Sequence, residues 1–176
     1  MVLKPLSPGE PPRQIPSSGF TDDDGTTPVV VAQAFEAYAH NPGVGRYQVI
    51  AALQQARVLV PVVALLGEVE HDENGHAHEK TSDMATVLTT APDGRTGMLA
   101  FTSMAAMKAW DPQARPVPTT LQIAAASGRQ DGAAALVIDI AGPQQLAIEG
   151  DELSYVADGL RLVRVPDGWA WAQIES

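Results

Sequence analysis

The spacing of apolar residues after the first 27 positions predicts two helices. Residues 28–40 carry apolar side chains at positions i, i+3, i+4 and i+7 of one helix face, namely Val31, Ala34, Phe35 and Tyr38. We expect Thr27 to cap this helix and Pro28 to occupy its first position. A turn at residues 41–43 should separate it from a second helix over residues 45–56, and the two helices together form an αα-hairpin.

Shorter β-branched runs further along the chain predict strands. The first covers residues 58–66, and its Pro61 cannot donate a ladder hydrogen bond, which indicates an edge position, a bulge or the start of the strand. An Asp93-Gly94 turn favours a hairpin. The other expected strands cover residues 84–90, 97–101, 135–140 and 146–148, with a closing hairpin over 160–165 and 169–174.

Three more helices should alternate with these strands. One carries Met104, Met107 and Trp110 after a Thr102 or Ser103 cap, one follows Thr119 or Thr120, and one covers 152–157 between Asp151 and Gly159. Regular βαβ units are too few for a doubly wound fold. The sequence therefore predicts an α+β fold, with a mixed, mostly antiparallel sheet, helices packed on it, and an αα-hairpin in front.

The first 27 residues differ in composition from the remainder. They are rich in Pro, Gly, Ser, Asp and Thr, and their five prolines before residue 17 disfavour a helix. We therefore expect residues 1–27 to form an extended arm and residues 28–176 to form a single domain.

The charge balance narrows the classes of partner. The formal net charge is −10, from 21 acidic and 11 basic residues, which argues against binding to nucleic acid or to anionic membranes.

No cysteine is present, so thiolate chemistry is excluded. The sequence shows no signal-peptide pattern and no apolar run near the ~18 residues of a membrane span, so a cytoplasmic location is expected.

Four segments of the chain resemble the N-terminal domain of the SseB family, most closely the versions common in actinobacteria. They are EKTSDMA at residues 79–85, PDGR at 92–95, AFTS at 100–103 and AWDPQARPVP at 109–118. The resemblance extends over roughly residues 28–160. It implies no catalytic residue and no biochemical activity that could be transferred to this chain.

The segment over residues 68–79 combines histidines with carboxylates. His71, His76 and His78 could bind Zn²⁺, Ni²⁺ or Cu²⁺ together with a carboxylate, in a metal-binding protein or a metal-dependent hydrolase. The other interpretation is a solvated acidic loop between two strands, because nothing in the sequence fixes a closed set of ligands.

Seven polar residues at expected strand and helix ends form a second candidate site. They are Lys80, Ser82, Asp83, Thr102, Ser103, Asp111 and Arg115. As a binding surface, they would use Lys80 and Arg115 to contact an anion. As structural residues, they would serve as helix caps and turns, which is the ordinary role of such side chains at helix ends.

Trp169 and Trp171 alternate in the last expected strand, so both should face one side of it. They could belong to the core or to an interface.

Neither a Gly-x-Ser-x-Gly elbow nor a phosphate-binding loop occurs. We expect a non-enzymatic protein-interaction or regulatory module without a cofactor, which binds a protein partner or itself. A small-molecule sensor with a pocket between the helical hairpin and the sheet is a further hypothesis.

Overall fold

The computed structural model describes residues 2–3, 20, 22–65 and 83–174. Its helices within those residues are α1 (Val29–His40), α2 (Pro42–Leu53), α3 (Met104–Trp110), α4 (Leu121–Gln130) and α5 (Gly150–Ala157). Its strands there are β1 (Val2–Leu3), β2 (Arg57–Leu65), β3 (Asp83–Thr90), β4 (Thr96–Ala100), β5 (Arg115–Thr120), β6 (Ala135–Ile138), β7 (Leu146–Glu149), β8 (Arg161–Val165) and β9 (Gly168–Ala172).

The strands form one large sheet and one separate hairpin. In the large sheet the order is β5-β2-β3-β4-β6-β7, and β1 adds to β3. Among the described strands of this sheet, only the β4–β6 pair is parallel, and all other neighbours are antiparallel. Strands β8 and β9 pair with each other and with no other strand in the described part of the chain. With the α1–α2 hairpin in front of the main strands, this arrangement confirms the predicted α+β class.

Apolar side chains cover both faces of the large sheet. On β2, Val58 and Val60 belong to a core shared with α1, α2, α4 and α5, whereas Leu59 belongs to a second core under α3. Strand β4 divides in the same way, because successive side chains in a strand point to opposite faces. Burial on both faces explains why residues 58–63 form a nearly continuous apolar run.

Pro61 does not lie at the sheet edge, at a bulge or at the start of its strand, so the prediction for this residue was wrong. Strand β2 lies between β5 and β3, with Pro61 opposite Pro116 of β5. On the other side, Leu59 exchanges backbone hydrogen bonds with Phe101, and pairing with β3 begins at Val62. The proline therefore lies where β2 passes from one neighbour to the next.

Several helix ends also differ from the prediction. Helix α1 begins at Val29, and its N-cap is Pro28, whose side chain has no group that could cap the helix. The hydroxyl of Thr27, the expected cap, lies 3.1 Å from that of Thr102. Helix α2 begins three residues early, with Pro42 in its first turn. Helix α5 begins at Gly150, so Asp151 lies in the first turn, where its charge favours the helix dipole.

The α1–α2 hairpin requires a glycine at position 45. A Cβ atom there would lie 2.3 Å from the Tyr38 Cα atom of α1, a distance that only a backbone shift could relieve. Gly45 therefore allows the two helices to pack in close contact. This contact fixes the first turns of α2, which form one wall of the groove described next.

Candidate functional site

An open groove lies between α2 and the β8–β9 hairpin and has a volume of about 610 Å³. Four side chains on one face of the hairpin form its floor: Leu162, Arg164, Trp169 and Trp171. Val44 and Tyr47 of α2 form the wall, and their side chains are 47% and 36% exposed. The groove therefore presents aromatic and aliphatic surface to solvent.

The two tryptophans connect this groove to the main core. Both are half-buried and pack against the core shared by α1, α2, α4 and α5. The Trp171 ring also lies 5.4 Å from that of Tyr155, and the Arg164 guanidinium lies 5.4 Å from the centre of the Trp169 ring. The core and interface roles considered from the sequence are thus both compatible with the position of each residue.

Among the described residues, no strand pairs with the outer edge of β9. The Leu162 N–H donates to the Gln54 side chain at 2.8 Å, so it points away from β9. Opposite residues in an antiparallel pair alternate between bonded and non-bonded pairs. The pairs Leu162–Trp171 and Arg164–Trp169 are consequently of the non-bonded type, and the backbone groups of both tryptophans point outward. No hydrogen bond to them from another described residue is present.

Each outer strand of the large sheet has a feature on its outer side that β9 lacks. The backbone groups of Leu59 bond to Phe101 and therefore point away from β5. Leu59 lies opposite Pro118, and bonded and non-bonded pairs alternate along an antiparallel ladder, so the backbone groups of Pro118 and Pro116 point away from β2. Neither proline has an N–H to offer an approaching strand. On β7, the outward carbonyl of Ala147 accepts a 2.8 Å hydrogen bond from Arg46. The β9 edge thus differs from both edges of the main sheet.

A second polar region surrounds the buried side chain of Arg57, which is only 4% exposed. Its guanidinium donates to the Asp23 carboxylate at 2.8 Å, to the Thr26 carbonyl at 2.6 Å and to the Thr102 carbonyl. The hydrogen bond from Arg57 is the main cause that lowers the pKa of Asp23. These bonds attach residues 23–26 to the start of β2.

The carboxylate of Asp139 lies on the other side of Thr102. It accepts hydrogen bonds from the Thr102 N–H at 2.8 Å and from the Thr102 hydroxyl at 2.7 Å. Asp139 is 8% exposed, and burial raises the pKa of its carboxyl above the ordinary value. Thr102 and Asp139 line a cleft of about 390 Å³ beside α1 and α3.

The seven polar residues of the second sequence candidate do not all lie near this cleft. Thr102 and Ser103 line it, and the Ser103 hydroxyl also caps α3 by accepting from the Ala106 N–H. Asp111 lies at the other end of α3, where its carboxylate accepts from the Gln113 N–H. Asp83 begins β3, and Arg115 begins β5 with an exposed side chain.

The remaining sequence candidates lie outside the described residues. They are Lys80, Ser82, His71, His76 and His78. The metal-binding hypothesis therefore stays a prediction from residue types. Within residues 22–65 and 83–174, no three His, Cys, Asp or Glu side chains are grouped closely enough to hold a metal ion.

Sequence reasoning missed Arg57 and Asp139. Arg57 stands directly before an apolar strand, so a charged residue at the border of a buried segment was the available signal. Asp139 interrupts the apolar end of the predicted strand over 135–140 and has a φ of 51°. Aspartate is one of the few non-glycine residues that adopt this conformation.

In the part of the chain that the structure describes, none of the helices combines the length and the apolar character needed to cross a bilayer.

Comparison with known proteins identifies the family. No curated protein and no solved structure matches the chain. The model of the SseB protein N-terminal domain matches residues 31–154, which is more than half of the chain. That range contains most of the Asp139 cleft, whereas β8 and β9 follow it in sequence. The chain belongs to the family defined by the SseB protein N-terminal domain.

Proposed function

We propose that this chain is a non-enzymatic protein-interaction module that binds an extended segment of a partner protein along β9. The observation that carries the proposal is the open edge of β9 beside a groove with an aromatic floor. Strand addition to an exposed edge is a common mode of peptide recognition, in which backbone hydrogen bonds supply affinity and side-chain pockets supply specificity.

The backbone of β9 offers the first set of contacts. The N–H and C=O groups of Trp169 and Trp171 point away from β8, at the spacing that an added antiparallel or parallel strand would pair with. A partner segment could therefore extend the two-stranded hairpin to three strands. Isolated two-stranded sheets are marginally stable, so the added strand would also stabilise the hairpin.

The groove offers the second set of contacts. Val44, Tyr47 and the tryptophan rings form an apolar surface that favours an aliphatic or aromatic side chain of the partner. The exposed Arg164 lies over the Trp169 ring and has no carboxylate partner among the described residues. A carboxylate on the partner segment could pair with it, because guanidinium and carboxylate form strong charge-assisted hydrogen bonds.

The overall charge favours a different protein over a second copy of this chain. Each copy carries a net charge of −10, so two copies would repel each other at long range. The expected occupant is therefore an extended segment of another protein that combines an apolar side chain with one acidic residue.

A matched pair of substitutions tests this proposal. Val44 and Ile123 each occupy the third position of a helix and are 47% and 39% exposed, but only Val44 lines the groove. We would capture proteins from a lysate of the native host with wild type, Val44→Asp and Ile123→Asp, and quantify them by mass spectrometry. Val44→Asp should lose at least one protein that both other forms retain.

The strength of the effect can then be measured with that protein in purified form. Placing a carboxylate in the groove should weaken binding by about tenfold or more, because it adds repulsion to the partner's acidic group and requires desolvation. Ile123→Asp should bind as wild type does. Identical sets of captured proteins for the two variants would contradict the proposal.

A further inference from the structure

We propose that the Asp139 cleft is a second binding site, which takes a small organic cation with a primary ammonium group and a short apolar chain. The cleft lies between α1, α3 and the loop over residues 139–144. It is distinct from the groove and shares no lining residue with it.

The Asp139 carboxylate has capacity for another donor. A carboxylate offers about four acceptor positions, and Thr102 occupies one on each oxygen. The Thr102 hydroxyl, which donates to Asp139, in turn accepts from the Thr27 hydroxyl at 3.1 Å. The hydroxyls are thereby oriented, and Asp139, which retains acceptor capacity, is one of the residues that line the cleft.

No cation of the described chain pairs directly with this carboxylate. The donors of Arg57, whose charge acts on Asp139, are directed to Asp23 and to the carbonyls of Thr26 and Thr102. Arg57 acts on Asp139 only through its charge at a distance. A buried carboxylate without a directly paired cation is costly, and burial raises the pKa of the group accordingly. A bound ammonium group would supply the missing charge.

The backbone around Asp139 holds the carboxylate in place. Its φ of 51° is uncommon for a residue other than glycine, and such conformations concentrate at functional sites. The Gly142 N–H donates to the Asp139 carbonyl at 2.8 Å, and a Cβ atom on Gly142 would lie 3.1 Å from that carbonyl oxygen. The close turn over residues 139–142 therefore suits a glycine at its end.

The rest of the cleft determines the remainder of the ligand. Its lining includes Phe35, Ala106, Ala109 and Pro143, which offer apolar contacts. Its volume of about 390 Å³ is near the lower end for small-molecule sites. A single cationic group on a short hydrocarbon chain matches both the one buried charge and the apolar wall.

The probes for the test are n-butylammonium, 1-butanol and butyrate, titrated into the full-length protein and followed by ¹H–¹⁵N NMR. We expect saturable shifts at the amides of Thr102, Asp139 and Gly142 with n-butylammonium. Affinity for 1-butanol should be about tenfold weaker, because a charge-assisted hydrogen bond is roughly twice as strong as a neutral one. Butyrate should not bind.

Two kinds of variant separate the site from a structural role. Asp139→Asn keeps the size of the side chain and an acceptor for the Thr102 N–H, and it should reduce affinity for n-butylammonium to that for 1-butanol. Ala109→Leu should block the cleft, whereas Ala105→Leu, on the same helix but outside the cleft, should bind as wild type. The alanine pair decides the question if the asparagine variant fails to fold.

The proposal is overturned by any of three results. These are shifts that do not saturate with n-butylammonium, equal affinities for the cation and the alcohol, or equal binding by the two leucine variants. Its failure leaves the partner-binding proposal intact, since neither Val44 nor Trp171 contributes to this cleft.

Discussion

Two regions of the molecule differ from the usual arrangement, in which charged groups are exposed and apolar groups are buried. They are the polar cluster formed by Arg57, Asp23, Thr102 and Asp139, and the face formed by β9 and the groove beside it. The cluster buries charged side chains, with Arg57 at 4% and Asp139 at 8% exposure. The β9 face exposes apolar side chains, including Val44 and Tyr47. Arg57 and its partners are bonded to one another within the cluster, whereas the outward backbone groups of β9 have no partner among the described residues.

This difference separates a structural role from an associative one. Charges in the cluster are bonded to residues 23–26 and 102, so their removal should affect folding. Open backbone groups and exposed rings on β9 contribute little to the free chain and become useful when a partner covers them. We therefore expect substitution of Arg57 to change stability and substitutions at the groove to change binding of the partner protein.

The largest expected effect comes from Arg57→Ala. Truncation leaves the Asp23 carboxylate and two carbonyls without their donor, which should lower the free energy of unfolding by about 3 kcal/mol or more. Arg129→Ala is the matched control, because it breaks the exposed pair with Asp158 and should cost about 0.5 kcal/mol. Urea unfolding at pH 7 measures both.

If Arg57→Ala and Arg129→Ala lowered the free energy of unfolding by similar amounts, the buried cluster would stabilise the fold no more than an exposed ion pair does. The comparison between cluster and groove would also be contradicted if Val44→Asp reduced stability as much as Arg57→Ala does, because the groove would then be needed for folding.

A smaller effect on the free energy of unfolding is expected from a change in pH. Asp23 and Asp139 should contribute to it with opposite signs. The Arg57 hydrogen bond lowers the pKa of Asp23, so its contribution to stability is present above the unfolded pKa and is lost as pH falls below about 4. Burial raises the pKa of Asp139, so its folded form binds a proton more readily than its unfolded form. Stability from Asp139 therefore decreases as pH rises through the acidic range.

Variants isolate the two contributions. Relative to Asp23→Asn, wild type should become less stable as pH is lowered from 6 to 3. Relative to Asp139→Asn, it should become more stable over the same interval. Thermal unfolding at each pH measures the differences, and slopes of the same sign would contradict the assignment of the two carboxylates.

Local patterns were sufficient to predict most helices and strands. The apolar spacing of Val31, Ala34 and Phe35 identified the buried face of α1, and the alternation of Trp169 and Trp171 placed both rings on one side of β9. Both inferences depend only on the periodicity of a single element. The α+β class followed from the order in which such elements occur.

Contacts between distant residues could not be predicted in this way. Arg57 and Asp23 are 34 positions apart, and Thr102 and Asp139 are 37 apart, so neither pair has a local signature. The position of Pro61 between two neighbours depends on where β2 changes partners, which is a property of the whole sheet. The outward direction of the tryptophan backbone groups on β9 is likewise inferred from the hydrogen bond between Gln54 and Leu162, which are 108 positions apart.

Hydrogen exchange in the free protein tests the central claim most directly. If the outer edge of β9 is open, the backbone amides of Trp169 and Trp171 should exchange far faster than those of Ala170 and Ala172, which face β8. Addition of the captured partner should then slow the two tryptophan amides. Tryptophan amides that already exchange as slowly as their alanine neighbours in the free protein would contradict an open edge at β9.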